Sequence, residues 1–151
     1  MVTNSTQATP TPAFSRVNPD TVCIIFVYVG SIVEIIVTKE NVVNGTQCIF
    51  FQDEEMWRMY DRFPEMLFVD ATYKLNDLRM PLYLFLVEDG NGESEIVAVW
   101  MVVTEDALSI QRMAQIFKNH NRRWSDTVTI MADKDFIERD ALKAEFPEAS
   151  I

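Results

Sequence analysis

A chain of 151 residues that is 48% hydrophobic and 11% aromatic has enough apolar side chain for one domain-sized core, which excludes intrinsic disorder. Its 13 basic and 23 acidic residues, net charge −10, exclude the positive footprint that unaided nucleic-acid binding needs. Two cysteines, Cys23 and Cys48, are too few for a disulfide framework and share no metal-ligand spacing. Both stand in apolar strand-like runs, as buried free thiols of a reducing, intracellular compartment do.

Residues 1–20 are Thr, Ser, Asn and Pro with little to bury, which predicts a flexible tail. No basic segment leads directly into an apolar core, so no signal peptide is expected. Asn4-Ser5-Thr6 and Asn44-Gly45-Thr46 match glycosylation acceptors, a match that matters only in a secreted chain. Residues 21–52 form a β-rich segment. Its most apolar run, Thr21 to Thr38, contains Glu34, is split by Gly30-Ser31 and is dominated by β-branched residues. Those features predict two strands and a tight turn rather than a membrane span. Asn44-Gly45 is a second turn before a short strand from Gln47 to Phe51.

Residues 53–151 hold the remaining elements. Asp53 to Asp61 is a short helix with Asp53 as N-cap, Glu54 and Glu55 in its positive first turn, and Met56, Tyr60 and Phe63 on one face. Pro64 ends it. Met66 to Val69 is a buried strand that runs into Asp70-Ala71-Thr72, and a polar link follows from Lys74 to Arg79. Pro81 to Val87 is a second apolar strand, joined through the turn Asp89-Gly90-Asn91-Gly92 to an antiparallel third, Glu95 to Val103.

Thr104 is the expected cap of the next helix, whose Ile110, Met113, Ala114 and Phe117 keep the i, i+3, i+4, i+7 spacing. That helix leads into Lys118-Asn119-His120-Asn121-Arg122-Arg123, a basic cluster that fits a dipole-complementing surface better than a phosphate contact. Thr127 to Met131 is a fourth strand, again followed by acid, at Asp133. Asp135 and Glu138 form a capping box for a last helix with Ile137, Ala141 and Ala144 on one face. Another strand begins to show at Ser150-Ile151.

Acids therefore terminate the first and fourth strands of this half. A right-handed crossover through the Thr104 helix brings the fourth strand beside the first, parallel to it. Asp70 and Asp133 then lie side by side. Two carboxylates that close repel unless a cation sits between them. Hard Mg²⁺ or Mn²⁺ suits such oxygens, zinc does not, and two-metal phosphoryl-transfer sites with ions about 4 Å apart use this arrangement.

The segments from Phe63 to Asn76, Met80-Pro81-Leu82-Tyr83, Asp133-Lys134-Asp135-Phe136 and Phe146-Pro147-Glu148-Ala149 resemble the RNase H-like domain of Mutator-like element transposases, above all the domesticated relatives in SWIM zinc-finger proteins. The resemblance covers roughly residues 49–151. It implies an α/β fold, an RNase H-like mixed sheet flanked by helices. It also implies that Asp70 and Asp133 are the first two acids of a DDE triad, each a catalytic ligand for Mg²⁺ or Mn²⁺ in DNA strand cleavage or transfer, with Asp135 left to its capping role.

In that family a strand, a Cys/His motif and a helix bearing the third acid follow this point, and the chain ends before them. Glu138, Glu145 and Glu148 are not expected to substitute. The SWIM zinc finger is absent too, so no zinc site is expected. The resemblance thus implies a C-terminally truncated domain, catalytically silent or very weak. DNA is the partner it implies and the nucleus or cytoplasm its compartment. The alternative is a non-catalytic regulatory module that binds a protein or itself through an open sheet edge.

Overall fold

The structure, a computed structural model, describes residues 12–18, 21–28, 31–38, 46–72, 80–133 and 136–151, with side chains from residue 48 onward. The Asn44-Gly45 turn, Gly30 of the Gly30-Ser31 turn, the 74–79 link and the Asp135 cap lie outside the described residues.

Among the described residues there are eight strands and three α-helices, all but the first strand expected from the apolar runs and caps. Strands β1 (Pro12–Asn18), β2 (Thr21–Tyr28), β3 (Ser31–Thr38) and β4 (Thr46–Asp53) pair antiparallel in succession. After helix α1 (Glu54–Arg62) come β5 (Met66–Thr72), β6 (Leu82–Glu88) and β7 (Ser94–Val102), then α2 (Ala107–His120), β8 (Thr129–Met131) and α3 (Phe136–Glu145). All eight strands join one sheet in the order β1-β2-β3-β4-β7-β6-β5-β8. Only β5 and β8 are paired in parallel. The fold is α/β with a mixed sheet, as expected.

The β-rich segment is an extension of this sheet, since β4 pairs with β7 from Cys48↔Val102 to Phe51↔Val99. Residues 12–18, expected within a flexible tail, form β1 against β2. An edge strand draws its ladder bonds from one neighbour and needs little apolar side chain of its own.

Local chemistry explains the boundaries. Asp53 accepts a hydrogen bond from the Met56 amide at 2.8 Å and caps α1 as predicted. The β6–β7 hairpin closes through Gly92 at φ 81°, a left-handed conformation that glycine adopts without strain. There Asp89 accepts from the amides of Asn91 (2.8 Å) and Glu93 (2.9 Å).

Two expectations are corrected. The cap of α2 is Asp106, not Thr104: Asp106 Oδ1 accepts from the Ser109 amide at 2.7 Å, while Thr104 Oγ1 donates to Asp106 Oδ2 at 3.1 Å. Asp106 stands three residues before the orphan amide and brings a negative charge to the helix's positive end. In α3 the inward stripe is Glu138, Ala141 and Leu142, with Glu145 half-buried one turn on; Ile137 and Ala144 are exposed. The stripe keeps helical spacing, but acids occupy both its ends. Glu145 is held there by Lys118 Nζ at 3.3 Å and by Gln115 Nε2 at 2.8 Å, so α2 sets the rotation of α3.

The core lies on one face of the sheet. Leu67 and Val69, Tyr83, Phe85 and Val87, Ala98, Trp100 and Val102, and Phe50 meet Tyr60 of α1, Phe117 of α2 and Leu142 of α3. Phe117 meets the rings of Tyr60 and Phe85 edge-on, at centroid separations of 4.8 and 4.9 Å.

Candidate metal centre

The parallel pairing of β5 and β8 positions the two acids. The pairs Met66↔Thr129, Leu67↔Ile130 and Phe68↔Met131 share one offset. Carried two residues further, that offset sets Asp70 level with Asp133. Within β5, Leu67 and Val69 are buried while Met66 and Asp70 are exposed, so Asp70 stands on the face opposite the helices. Asp133 follows the end of β8 and is exposed as well. Position 70 also pairs with Leu84 of β6, which gives the acid an apolar neighbour on its other side. The sequence thus foretold that these two strands lie side by side in parallel.

Two exposed carboxylates at adjoining strand ends supply hard oxygen donors. That chemistry fits Mg²⁺ or Mn²⁺, which keep several waters and accept one or two carboxylates. Among the described residues no group of three or more His, Cys, Asp or Glu side chains comes together. Glu138, 4% exposed on the core side of α3, is therefore not a third member of the pair. Cys48 is buried in β4, as its apolar run predicted.

Beside Asp133 runs a groove of about 360 Å³, lined by Met131, Ala132, Asp133, Arg139, Ser150 and Ile151 among others. Its floor is the outer edge of β8. Ser150 meets that edge as a parallel bridge to Thr129: its amide donates to Val128 O at 2.9 Å, and its carbonyl accepts from Ile130 N at 2.8 Å. This is the strand start that Ser150-Ile151 suggested. The preceding Phe146 and Ala149 are buried, and the ring of Phe146 meets Trp124 edge-on at 6.1 Å.

The basic cluster is divided between intramolecular contacts and the surface, where Asn119 and Arg122 are exposed as expected. Lys118 Nζ sits 4.2 Å from the Trp124 ring centroid and donates to Glu145 O at 2.7 Å. His120 stacks on Phe50 at 5.3 Å, and Asn121 is 1% exposed. Arg123 pairs with Asp126 at 2.7 Å and donates to the Asp61 carbonyl; its guanidinium pKa is raised, chiefly by that bond to Asp126. Sequence reasoning saw a solvated surface; the structure shows cations stitching α2 to α1 and α3. No described helix is long and apolar enough to cross a membrane.

Comparison with protein families gives one match over residues 25–151: zinc finger SWIM domain-containing protein 1/3, RNaseH-like domain. The match begins within β2, well before residue 49, so most of the β-rich wing belongs to the matched region together with the mixed sheet and its helices.

Proposed function

Since the chain belongs to the RNase H-like domain family of zinc finger SWIM domain-containing proteins 1 and 3, we propose that it is a transposase-derived nuclease fold that keeps a two-carboxylate site for a divalent cation. The family supports a nuclease-like or transposase-derived origin. The observation that carries the site is the parallel register of β5 and β8, which sets Asp70 level with Asp133. Asp70 and Asp133 are the residues that hold Mg²⁺ or Mn²⁺ in this reading. A cation there would supply Lewis-acid stabilisation of a phosphoryl oxygen. The carboxylates bind and orient it, and the apolar neighbour Leu84 limits water on one side.

In the same reading the pair binds a cation but is catalytically silent or very weak in this chain. DNA approach depends on the bound cation, since the net charge is −10 and Lys118 and Arg123 are already paired within the chain. The ancestral partner is DNA and the place of action the nucleus or cytoplasm.

Calorimetric titration of Mn²⁺ into the wild-type chain should give weak binding, lost in both Asp70→Asn and Asp133→Asn. Identical isotherms for all three proteins would remove the site. Nicking of supercoiled plasmid that requires Mn²⁺ and both acids would overturn the catalytic silence instead.

A further inference from the structure

We propose, resting on the cation site read at Asp70 and Asp133, that the DNA this molecule contacts is an unpaired single strand. One base lies on an apolar row of the sheet, the cation takes a phosphate, and Arg139 meets the next phosphate. On the helix-free face, Phe68 of β5 pairs in register with Met131 of β8 on one side and with Leu86 of β6 on the other. Leu86 pairs in turn with Ile96 of β7. The four make one apolar row. Both of its ends are exposed, Met131 at 53% and Ile96 at 39%, with Phe68 and Leu86 half-buried between them. Asp70 follows Phe68 by two residues on the same face of β5, and Asp133 follows Met131 by two. The rise of a strand sets about 6.6 Å between the row and Asp70.

Arg139 of α3 lines the same groove as Met131 and Asp133. Its Nη2 donates to the Ile151 carbonyl at 3.0 Å, which holds the exposed guanidinium at the groove. A guanidinium has five N–H donors, so that bond leaves it able to meet a phosphate.

A bound cation and a guanidinium beside an apolar row match the parts of a nucleotide, charged phosphates and a flat base. Aromatic and thioether side chains take the face of any base, with no need of a particular sequence. A duplex cannot use the row, because its base faces are already stacked on one another. Charge selects in the same direction. A duplex carries one negative charge per about 1.7 Å and a single strand one per about 3.4 Å, so a chain of net charge −10 repels the duplex more.

The test is fluorescence anisotropy of a short labelled DNA strand titrated with the 151-residue chain in Mn²⁺. The strand should bind about tenfold tighter than its own duplex, and an abasic strand no better than the duplex. Phe68→Leu keeps an apolar side chain but removes the ring, and should weaken the strand by roughly five- to tenfold. Arg139→Gln should weaken it too and lower the slope of log K against log salt by about one. Both variants should bind Mn²⁺ as wild type does in calorimetry. Leu108→Ala, at a 55% exposed position on α2, should bind the strand unchanged. Equal affinity for strand and duplex, an abasic strand that binds as well as the natural one, or undiminished binding by either row or groove variant would overturn the proposal. The abasic comparison needs no substitution and so holds if a variant fails to fold. Absence of Mn²⁺ binding would remove the cation site and the strand contact together. Mn²⁺ binding that needs both acids, without a preference for the single strand, would remove the strand contact alone.

Discussion

Tyr60 shows how much one side chain can set. Its hydroxyl lies 2.6 Å from Thr127 Oγ1, which itself lies 2.8 Å from the Pro64 carbonyl. A threonine hydroxyl has one proton, and the carbonyl can only accept, so Thr127 donates to Pro64 and Tyr60 donates to Thr127. Burial drives the phenol pKa from its ordinary 10.0 up to about 12. The folded state then holds a proton that the unfolded chain releases at lower pH. Stability from this group is whole below pH 10.0 and is lost as the pH rises towards about 12. Tyr60→Phe should therefore cost about 1 kcal/mol at neutral pH and flatten the alkaline decline, both readable in denaturant titrations. Thr127→Val should cost more, because it strands the Tyr60 hydroxyl and the Pro64 carbonyl together. Sequence spacing put Tyr60 on the inner face of α1. Its partner, 67 residues away, could not be read from the chain.

At the level of elements, β4 is tied to α2 by a buried pair of amides. Gln52 Nε2 donates to Asn121 Oδ1 at 3.0 Å and to the Val97 carbonyl at 2.8 Å. Asn121 Nδ2 donates back to Gln52 Oε1 at 3.2 Å and to the Phe117 carbonyl at 2.8 Å. Removing one amide leaves the other buried with unmet bonds, at a cost of about 1–3 kcal/mol. Gln52→Leu or Asn121→Leu alone should each lower the unfolding midpoint, and the double variant should lose clearly less than their sum. Additive losses would mean that the two amides do not act as a unit. Neither residue stands out in the sequence. Gln52 ends an apolar strand, and Asn121 lies within what looks like a solvated basic tail. Helix caps show the same division: Asp53 was legible because only one acceptor precedes α1. Thr104 and Asp106 competed before α2, and the chain's path after β7 favoured the residue nearer the helix.

For the whole molecule, topology places the proposed pair and stability tests it. Asp70 and Asp133 are exposed, so Asp70→Asn and Asp133→Asn should leave the metal-free melting temperature nearly unchanged. A cation that binds only the folded state adds about 1.4 kcal/mol at roughly ten times its dissociation constant. Mn²⁺ should accordingly raise the melting temperature of the wild type by a few degrees and leave both variants unmoved. An equal rise in all three would point to binding elsewhere on this acidic chain.

The linear chain determined the element types, the hairpin turns and the two acid-ended strands. Alternation, capping and turn chemistry act within a few residues and need no distant partner. It also determined the family, through the segments around Asp70 and Asp133. Tertiary structure decided the rest. It merged the β-rich wing with the mixed sheet through β4 and β7, drew the basic cluster into ring and carboxylate contacts, and rotated α3 onto an acid-ended stripe. Each of those outcomes depends on residues far apart in sequence whose burial becomes favourable only once both surfaces exist, and periodicity within one segment carries no record of its partner.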